Sequence, residues 1–514
     1  MIPVSLEWIS NKVQGQLFLG SANGDASYIV NGVSTDTRKI KSGDLFIALV
    51  GPNFDGHEYL TIAEERGASA AIVSQYSQQH ASLSQIKVTD TRIALGLLGA
   101  AVKQSVAPKT IGITGSSGKT TVKEMVNAIL SQRGKVLATK GNFNNDIGVP
   151  LTLLELKHEH DFAVIEMGAN HQGEIDYTCN LVKPDVATII NAAPAHIEGF
   201  GSLFGVARAK SEIINGLAEN AVAILNRDSQ FFDFWQGKSS TKQILTFSYE
   251  SEQGDFFARK VAINHEGCPE FELVSPIGSV AIRLRVPGVH NVGNAVLSAA
   301  LAISAGANLA DVKSGLFAMQ SVAGRLSVKQ VNPRLKVLDD TYNANVGSVK
   351  AAIDLLARFE GFKVFVFGDM GELGDQAAMY HKLIGEYADE KNIDALISCG
   401  ELSANASSAM RNRGMACASV AEGFDALIQF IAPILHNDAE FASPHYHADT
   451  TNAPTQNQAS AQSTNANSNE TNITVLVKGS RSARMEQVVD AILAFDFGPQ
   501  GGPQPSNQEE PEVC

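Results

Sequence analysis

Short apolar runs alternate along this chain with stretches in which apolar residues return every third or fourth position. The clearest example covers residues 110–131. Thr110 to Thr114 is a β-favouring run, Gly115-Ser116-Ser117-Gly118 is a glycine turn, and Lys119-Thr120-Thr121 follows directly. Val122, Met125, Val126, Ile129 and Leu130 then recur at i, i+3, i+4, i+7 and i+8, the spacing of one buried helix face. The same alternation continues downstream, where IGITG, KVLATKG, FAVIEMGA, VATIINAA and AVAILN read as strands with helical patterns between them. Strands alternating with helices predict a parallel sheet with crossover helices. From Gln243 to Val286 the pattern becomes β-rich, and from Gly293 to Gly306 it becomes an alanine-rich helix.

The flanking regions read as two further α/β units. In residues 1–88, SLEWISNKV forms a helix, short β-rich runs lie between Tyr28 and Val50, and the amphipathic HEYLTIAEERGA leads into the strand AAIVS. A helix, ALGLLGAAVKQSV, then feeds the strand at 110, which sets a boundary near 89. The middle unit covers residues 89–324. In residues 325–497, LKVLDD, KVFVFGDM, DALISCG and ITVLVKG read as strands and SARMEQVVDAILAF as the last helix. Residues 437–472 interrupt that unit with seven Asn, many Ser, Thr, Gln and Ala, and no Gly or Lys. Such a segment cannot bury enough apolar surface to offset its ordering entropy, so a disordered insert is expected, and likewise a disordered tail over 498–514. No internal repeat is visible. The fold class is therefore α/β, and 514 residues suit about three domains.

Composition narrows the functional classes. No apolar run approaches the roughly 20 residues of a membrane span, and MIPVSLEWISNKV lacks the basic and apolar regions of a signal peptide. The five cysteines (179, 268, 399, 417, 514) are scattered and odd in number, as expected for reduced thiols in a cytoplasm. A formal charge of −14 argues against nonspecific nucleic-acid binding and means that local basic groups must hold any anionic substrate. A cytoplasmic monomer without stable membrane insertion is expected.

Strand, glycine loop and helix are the context a phosphate-binding loop requires. Small residues let backbone N–H groups curl round an anion at the helix N-terminus. Lys119 adds a point charge, and the Thr120 hydroxyl can reach Mg²⁺. The loop is the short form G-x-x-G-K-T, because Ile113 stands where the commoner pattern has glycine. Other polar groups lie at predicted strand ends, the edge where open α/β sheets bind ligands. GNFNNDIGVP at 141–150 offers several amides, although Asn and Gly are also ordinary turn residues. Glu166 closes the strand beginning at Phe162, and His196 follows VATIINAAPA. A carboxylate beside a phosphate loop can hold Mg²⁺ or accept a proton, whereas a lone strand-end Glu or His is often structural. Lys210 in ARAKSEI lies on a helix, where a solvated lysine is the default. Asp339-Asp340 end a strand before Thr341-Tyr342-Asn343-Ala344-Asn345, placing carboxylates for ribose, Mg²⁺ or amine contacts, or simply for capping the next element. Arg38 sits in a polar loop with Ser34, Thr35 and Thr37, a pattern that taken alone reads as a solvated turn.

Together these segments resemble the Mur ligase family, the ATP-dependent amide-forming enzymes of peptidoglycan synthesis. The resemblance rests on STDTR at 34–38, TGSSGKTTVKEM at 114–125, KGNFNNDIGVPLTLL at 140–154, IEMGANHQGEI at 165–175, AHIEGFGS at 195–202 and ARAKSEI at 207–213. It continues through PGVHNVGNA at 287–295, AGRL at 323–326, DDTYNANVGS at 339–348, GDMGELG at 368–374 and VKGSR at 477–481. The resemblance implies a small N-terminal α/β domain for a UDP moiety, a central ATPase with a parallel sheet, and a mobile Rossmann-like C-terminal domain. Among family activities it points to joining D-alanyl-D-alanine to UDP-N-acetylmuramoyl-tripeptide through an acyl phosphate. By motif it implies that Gly115, Ser116, Ser117, Gly118, Lys119, Thr120 and Thr121 bind ATP. It further implies that Thr120, Glu166 and His196 organise Mg²⁺, and that Lys210 becomes carbamylated and serves a second Mg²⁺. His290, Asn291 and Asn294 match the adenine-side motif, and Arg325 and Asp340 would reach ATP from the C-terminal domain. Ser34, Thr35 and Arg38 match the UDP loop, and Asn144 and Asn145 the loop facing the muramoyl-peptide. Tyr342, Asn343 and Asn345 are candidates for the dipeptide. A sister ligase adding the third amino acid or polyglutamate is the nearest rival, but GDMGELG with DDTYNAN resembles the dipeptide-adding member, and no D-N-P-R segment, the motif associated with the third-residue enzyme, is present. A guanine-nucleotide switch would carry N-K-x-D, which is absent too.

Overall fold

The computed structural model describes every residue except 22–23, 195–196, 219, 240–242, 265, 436–471 and 498–514. The expected insert, apart from Asn472, and the expected tail therefore lie outside the described residues, as does His196. The described residues form two compact units, one within 1–320 and one from 321 onward.

The first unit holds two main sheets. Near the N-terminus, β1 (Gln16–Phe18), β2 (Val33–Ser34), β3 (Leu45–Ile47), β4 (Ala70–Val73) and β5 (Ser84–Lys87) assemble in the order β1-β5-β4-β3-β2, parallel except for β1. Helix α1 (Thr91–Val106) then carries the chain onward, starting where the Asp90 side chain accepts from the Arg92 and Ile93 backbone N–H groups. It crosses the short helix Gly148–Leu154 so closely that a Cβ on Gly99 would stand 3.0 Å from the Pro150 carbonyl oxygen. Glycine is what lets these two helices touch, and one continuous apolar core runs from Leu6 and Ile9 through Leu95 and Leu98 to Val149 and Ile165.

The larger sheet has nine strands. They are β6 (Lys109–Thr114), β7 (Val136–Ala138), β8 (Phe162–Glu166), β9 (Val186–Ile189), β10 (Val222–Asn226), β11 (Gln243–Ser248), β12 (Phe256–Ile263), β13 (Pro269–Ser275) and β14 (Gly278–Arg283), in the order β7-β8-β6-β9-β10-β11-β12-β13-β14. The run from β7 to β12 is parallel, and β13 and β14 add an antiparallel edge. The interior strands β8 and β9 are buried along their whole length and, apart from Glu166 and Thr188, are apolar, as burial on both faces requires. Chain order reverses around β6, whose neighbours β8 and β9 are reached by connections running to opposite sides. The carboxyl end of β6 is thus a topological switch point, the place where such sheets bind ligands.

The second unit is a six-stranded sheet of β15 (Ser327–Asn332), β16 (Leu335–Asp340), β17 (Phe362–Gly368), β18 (Ala395–Cys399), β19 (Gly414–Cys417) and β20 (Ile473–Lys478), in the order β15-β16-β20-β17-β18-β19. All but β15 run parallel. Apolar clusters cover both faces, one built on Val349, Ile353 and Phe365, the other on Val337, Val366 and Ile492. The last helix is shorter than the sequence pattern predicts. Arg484 adopts a left-handed backbone (φ 51°), so Arg481–Ala483 form a separate turn and the helix starts at Glu486. Strand β19 has no counterpart in the sequence reading, because as an exposed edge strand it lacks an apolar run.

Candidate active site at the carboxyl end of the central sheet

The loop from Gly115 to Gly118 turns into helix α2 (Lys119–Leu130) at the switch point. Gly118 has φ 81°, and a Cβ there would meet the Asn294 side-chain oxygen at 3.0 Å. Backbone conformation and space thus both select glycine. Asn191, just past β9, accepts from the Ser116 and Ser117 N–H groups through its side-chain oxygen at 3.1 and 3.0 Å, while the Ser116 hydroxyl donates to the Ala193 carbonyl. The Lys119 ammonium donates to the Gly115 carbonyl at 2.8 Å, folding back over the loop it would neutralise. Thr121 lies half-buried on the helix's first turn.

Glu166, only 2% exposed, ends β8 beside this loop. Its Oε2 accepts from the Thr120 hydroxyl at 3.1 Å and its Oε1 from the Asn144 amide at 2.9 Å. Among the described residues no lysine, arginine or histidine lies within ion-pair distance of it. A buried carboxylate with no cation beside it among the described residues, next to a hydroxyl at the rim of a glycine loop, is a hard-oxygen donor set of the kind that suits Mg²⁺. The described residues contain no cluster of three acidic, His or Cys side chains able to form a complete metal shell.

Lys210 ends helix α3 (Leu203–Lys210), which starts where Ser202 caps the Gly205 N–H at 3.0 Å. It is 2% exposed, with its ammonium 5.6 Å from the centre of the Phe200 ring. Among the described residues it has no ion-pair partner. Burial first, and the positive charge of Lys119 second, lower its pKa to about 7, against opposing pulls from Glu174, Glu212 and Glu166. At neutral pH much of this amine is uncharged and nucleophilic.

Three other predicted residues gather at the start of helix α4 (His290–Ser304). The Asn291 amide donates to the Pro287 carbonyl and the Asn294 amide to the Asn291 side-chain oxygen, which sets Asn294 against Gly118 with His290 at the helix N-terminus. Asn145 caps the Gly148 N–H at 2.8 Å. In the N-terminal sheet, Ser34 is buried and its hydroxyl donates to the Asp36 carbonyl, while Thr35 is half-buried. Arg38 projects outward, held by two nitrogens on Asp36, and that contact lowers the Asp36 pKa to about 2.

The second unit places its candidates at the carboxyl end of β16 and the loop beyond. Arg325 stacks on Tyr342, its guanidinium 4.1 Å from the ring centre. Asp340 accepts from the Leu326 N–H and from the Lys478 ammonium, which also donates to the Asn343 carbonyl at 2.9 Å. Asn345 caps helix α5 (Val346–Leu356) in a reciprocal pair with Ser348.

Sequence reasoning missed Asn191, Lys478 and the buried Lys123. Each is recognised only through a neighbouring strand, so the signal is the sheet order and not a local motif.

Three family profiles match the chain in succession: the Mur ligase family catalytic domain over 29–108, the Mur ligase middle domain over 113–302, and the Mur ligase glutamate ligase domain over 324–481. UDP-N-acetylmuramoyl-tripeptide–D-alanyl-D-alanine ligase of Escherichia coli (strain K12) is 42% identical over 492 residues, covering 96% of this chain and 99% of that protein. The ligase of the same name from Bacillus subtilis (strain 168) is 33% identical over 480 residues, covering 90% and 93%. A crystal structure of MurF from Acinetobacter baumannii matches with a TM-score of 0.84 at 36% identity, covering 96% of this chain and 99% of that one. The chain belongs to the Mur ligase family and has that family's three α/β domains.

Proposed function

We propose that this chain is the ATP-dependent ligase that joins D-alanyl-D-alanine to UDP-N-acetylmuramoyl-tripeptide, yielding UDP-N-acetylmuramoyl-pentapeptide, ADP and phosphate for peptidoglycan synthesis in the cytoplasm. The observation that carries the reading is the junction at Glu166. One buried carboxylate meets the phosphate loop through Thr120 and the Asn-rich loop through Asn144, so nucleotide and peptide elements converge on one group.

A carboxylate acylates poorly because its oxygen is a poor leaving group. Transfer of the terminal phosphoryl group of ATP to the tripeptide's terminal carboxylate gives an acyl phosphate and ADP. The dipeptide's neutral amine then attacks the acyl carbon, and the tetrahedral intermediate expels phosphate. Phosphoryl transfer is catalysed mainly by position and charge. The N–H groups of Gly115 to Thr121 cradle the phosphates, Asn191 holds the loop's shape, and Lys119 exchanges the Gly115 carbonyl for phosphate oxygens. Thr120, Glu166 and His196 would hold Mg²⁺, which when bound offsets the negative charge that builds on the transferred group. The uncharged Lys210 amine can add CO₂, forming an N–C bond and releasing a proton. The resulting carbamate would be an anionic ligand able to hold a second Mg²⁺. His290, Asn291 and Asn294 serve the adenine side, Arg325 and Asp340 serve ATP, and Ser34, Thr35 and Arg38 serve UDP. Asn144 and Asn145 serve the muramoyl-peptide, and the Tyr342–Asn345 segment the dipeptide.

The test is phosphate release from MgATP with UDP-N-acetylmuramoyl-tripeptide, with and without D-alanyl-D-alanine. Release that requires both, with a pentapeptide product, is expected. Release with a single amino acid in place of the dipeptide would keep the chemistry and overturn the substrate.

A further inference from the structure

Lys123, in the second turn of α2, is a buried ammonium that the reaction above does not use. It is 2% exposed, a placement that costs several kcal/mol unless the charge is well satisfied. Its partners are the Glu124 carboxylate at 2.6 Å and the backbone carbonyl of Thr139, the residue after β7. Thr139 is itself buried, and its hydroxyl accepts the backbone N–H of Glu166 at 3.0 Å. Its own N–H donates to the Val164 carbonyl, which extends the β7–β8 ladder to the edge of the site. Residues 119, 120 and 123 are three and four apart, so Lys119, Thr120 and Lys123 share one face of α2. The helix that presents the phosphate loop therefore also grips the strand end from which the Asn-rich loop departs. The same strand end holds the main chain of Glu166.

We infer that Lys123 is a positioning residue. Acting through Thr139, it fixes where the Glu166 carboxylate stands between Thr120 and Asn144. A plain packing role would be met more cheaply by an apolar side chain, with no buried charge to satisfy. The ammonium instead ties three segments to one register: α2, the end of β7, and the end of β8. Groups that orient a metal-binding side chain typically contribute about 10–100-fold in metal affinity or activity, and that is the scale expected here. The inference rests on the reading of Thr120 and Glu166 as the Mg²⁺ side of the nucleotide site.

The test measures ADP binding by calorimetry, with Mg²⁺ and with chelator, alongside ligation kinetics. Thr139→Val removes the hydroxyl that accepts from Glu166 with little change in volume. It is expected to cut the Mg²⁺-dependent gain in ADP affinity at least 10-fold, with metal-free ADP binding within about twofold of wild type. Thr139→Ser restores the gain. Lys123→Met gives the same selective loss, and the double variant loses no more than either single one, because both act through one relay. Should Lys123→Met fail to fold, Thr139→Val against Thr139→Ser decides alone. Full Mg²⁺ gain in Thr139→Val, equal weakening of ADP with and without metal, or additive losses in the double variant would each overturn the relay. Wild-type chain that binds MgADP yet ligates nothing would remove the reaction and leave the relay standing.

Discussion

Each compact unit buries a lysine at the end of an element, Lys210 closing helix α3 and Lys478 closing strand β20, and the two are treated in opposite ways. Lys478, at the end of β20, is bonded to Asp340 and to the Asn343 carbonyl. Burial pushes the Asp340 carboxyl up and the Lys478 amine down, and their contact pulls each back toward its charged form. Lys210 has the positive Lys119 against it, and the more distant carboxylates of Glu174, Glu212 and Glu166 offset its desolvation only in part. A fold that merely needed a cation at 210 would have supplied a partner. With no ion-pair partner among the described residues, much of it is an uncharged amine at neutral pH, which a carbamate-forming nucleophile needs and a salt bridge would forbid.

Replacing each lysine by methionine breaks the comparison most sharply. Lys210→Met is expected to lower kcat by about 10³-fold or more, since an anionic metal ligand contributes several kcal/mol of charge stabilisation and each 1.36 kcal/mol is tenfold. The same substitution is expected to raise Tm at pH 7, because a lysine held neutral at a cost leaves the core. The folded pKa, about 7, lies below the ordinary 10.5, so between those values the unfolded chain binds the extra proton and wild-type stability rises with pH. That slope should vanish in Lys210→Met. Thermal scans from pH 6.5 to 10 check it, and a variant less stable than wild type at pH 7 would refute the poised amine. Stripping CO₂ should lower wild-type activity, and bicarbonate should restore it.

In the second unit the sign reverses. Asp340→Ala strands a buried ammonium and is expected to cost about 3–5 kcal/mol in denaturant unfolding of that unit. Lys478→Met should destabilise as well, less so, since the Asp340 carboxyl can take a proton. Adding Asp340→Leu to Lys478→Met removes both charges together and should recover most of the loss. If the double variant is no better than Asp340→Ala, the pair stabilises in its own right and is more than a mutually cancelled cost.

These two lysines also mark what the sequence can and cannot disclose. The strand, glycine turn and helix at 109–130 were legible because their signal is contiguous: an apolar strand, glycines, Lys119 and Thr120, then a helical repeat. Glu166 was legible as a strand-end carboxylate beside that loop. Asn191 and Lys123 were not, because their roles depend on β9 and β7 being brought beside β6 and β8, an order that no local spacing encodes. The sequence likewise labelled Asp340 a nucleotide contact without showing Lys478, 138 residues away, bonded to it. The reading of Arg38 as a solvated loop residue matches its outward side chain. The wrong start of the last helix came from applying periodicity across Arg484, whose left-handed backbone only tertiary packing dictates.

The smallest expected effect separates cap from contact at Asn345. Its side-chain oxygen accepts from the Ser348 N–H at 2.9 Å and starts helix α5, yet its amide nitrogen is the group a dipeptide carboxylate would meet. Asn345→Ala removes both and should cost about 1 kcal/mol of stability, the usual value of an N-cap. Asn345→Asp keeps the accepting oxygen and loses the donor, so stability should stay within about 0.5 kcal/mol of wild type. One lost hydrogen bond, of about 0.5–1.5 kcal/mol, should then raise KM for D-alanyl-D-alanine up to about tenfold while KM for ATP holds. An unchanged dipeptide KM in Asn345→Asp would reduce Asn345 to a helix cap and leave Tyr342 and Asn343 as the dipeptide candidates. The second unit would then resemble its buried ion pair, with its polar side chains spent on holding the sheet edge in shape.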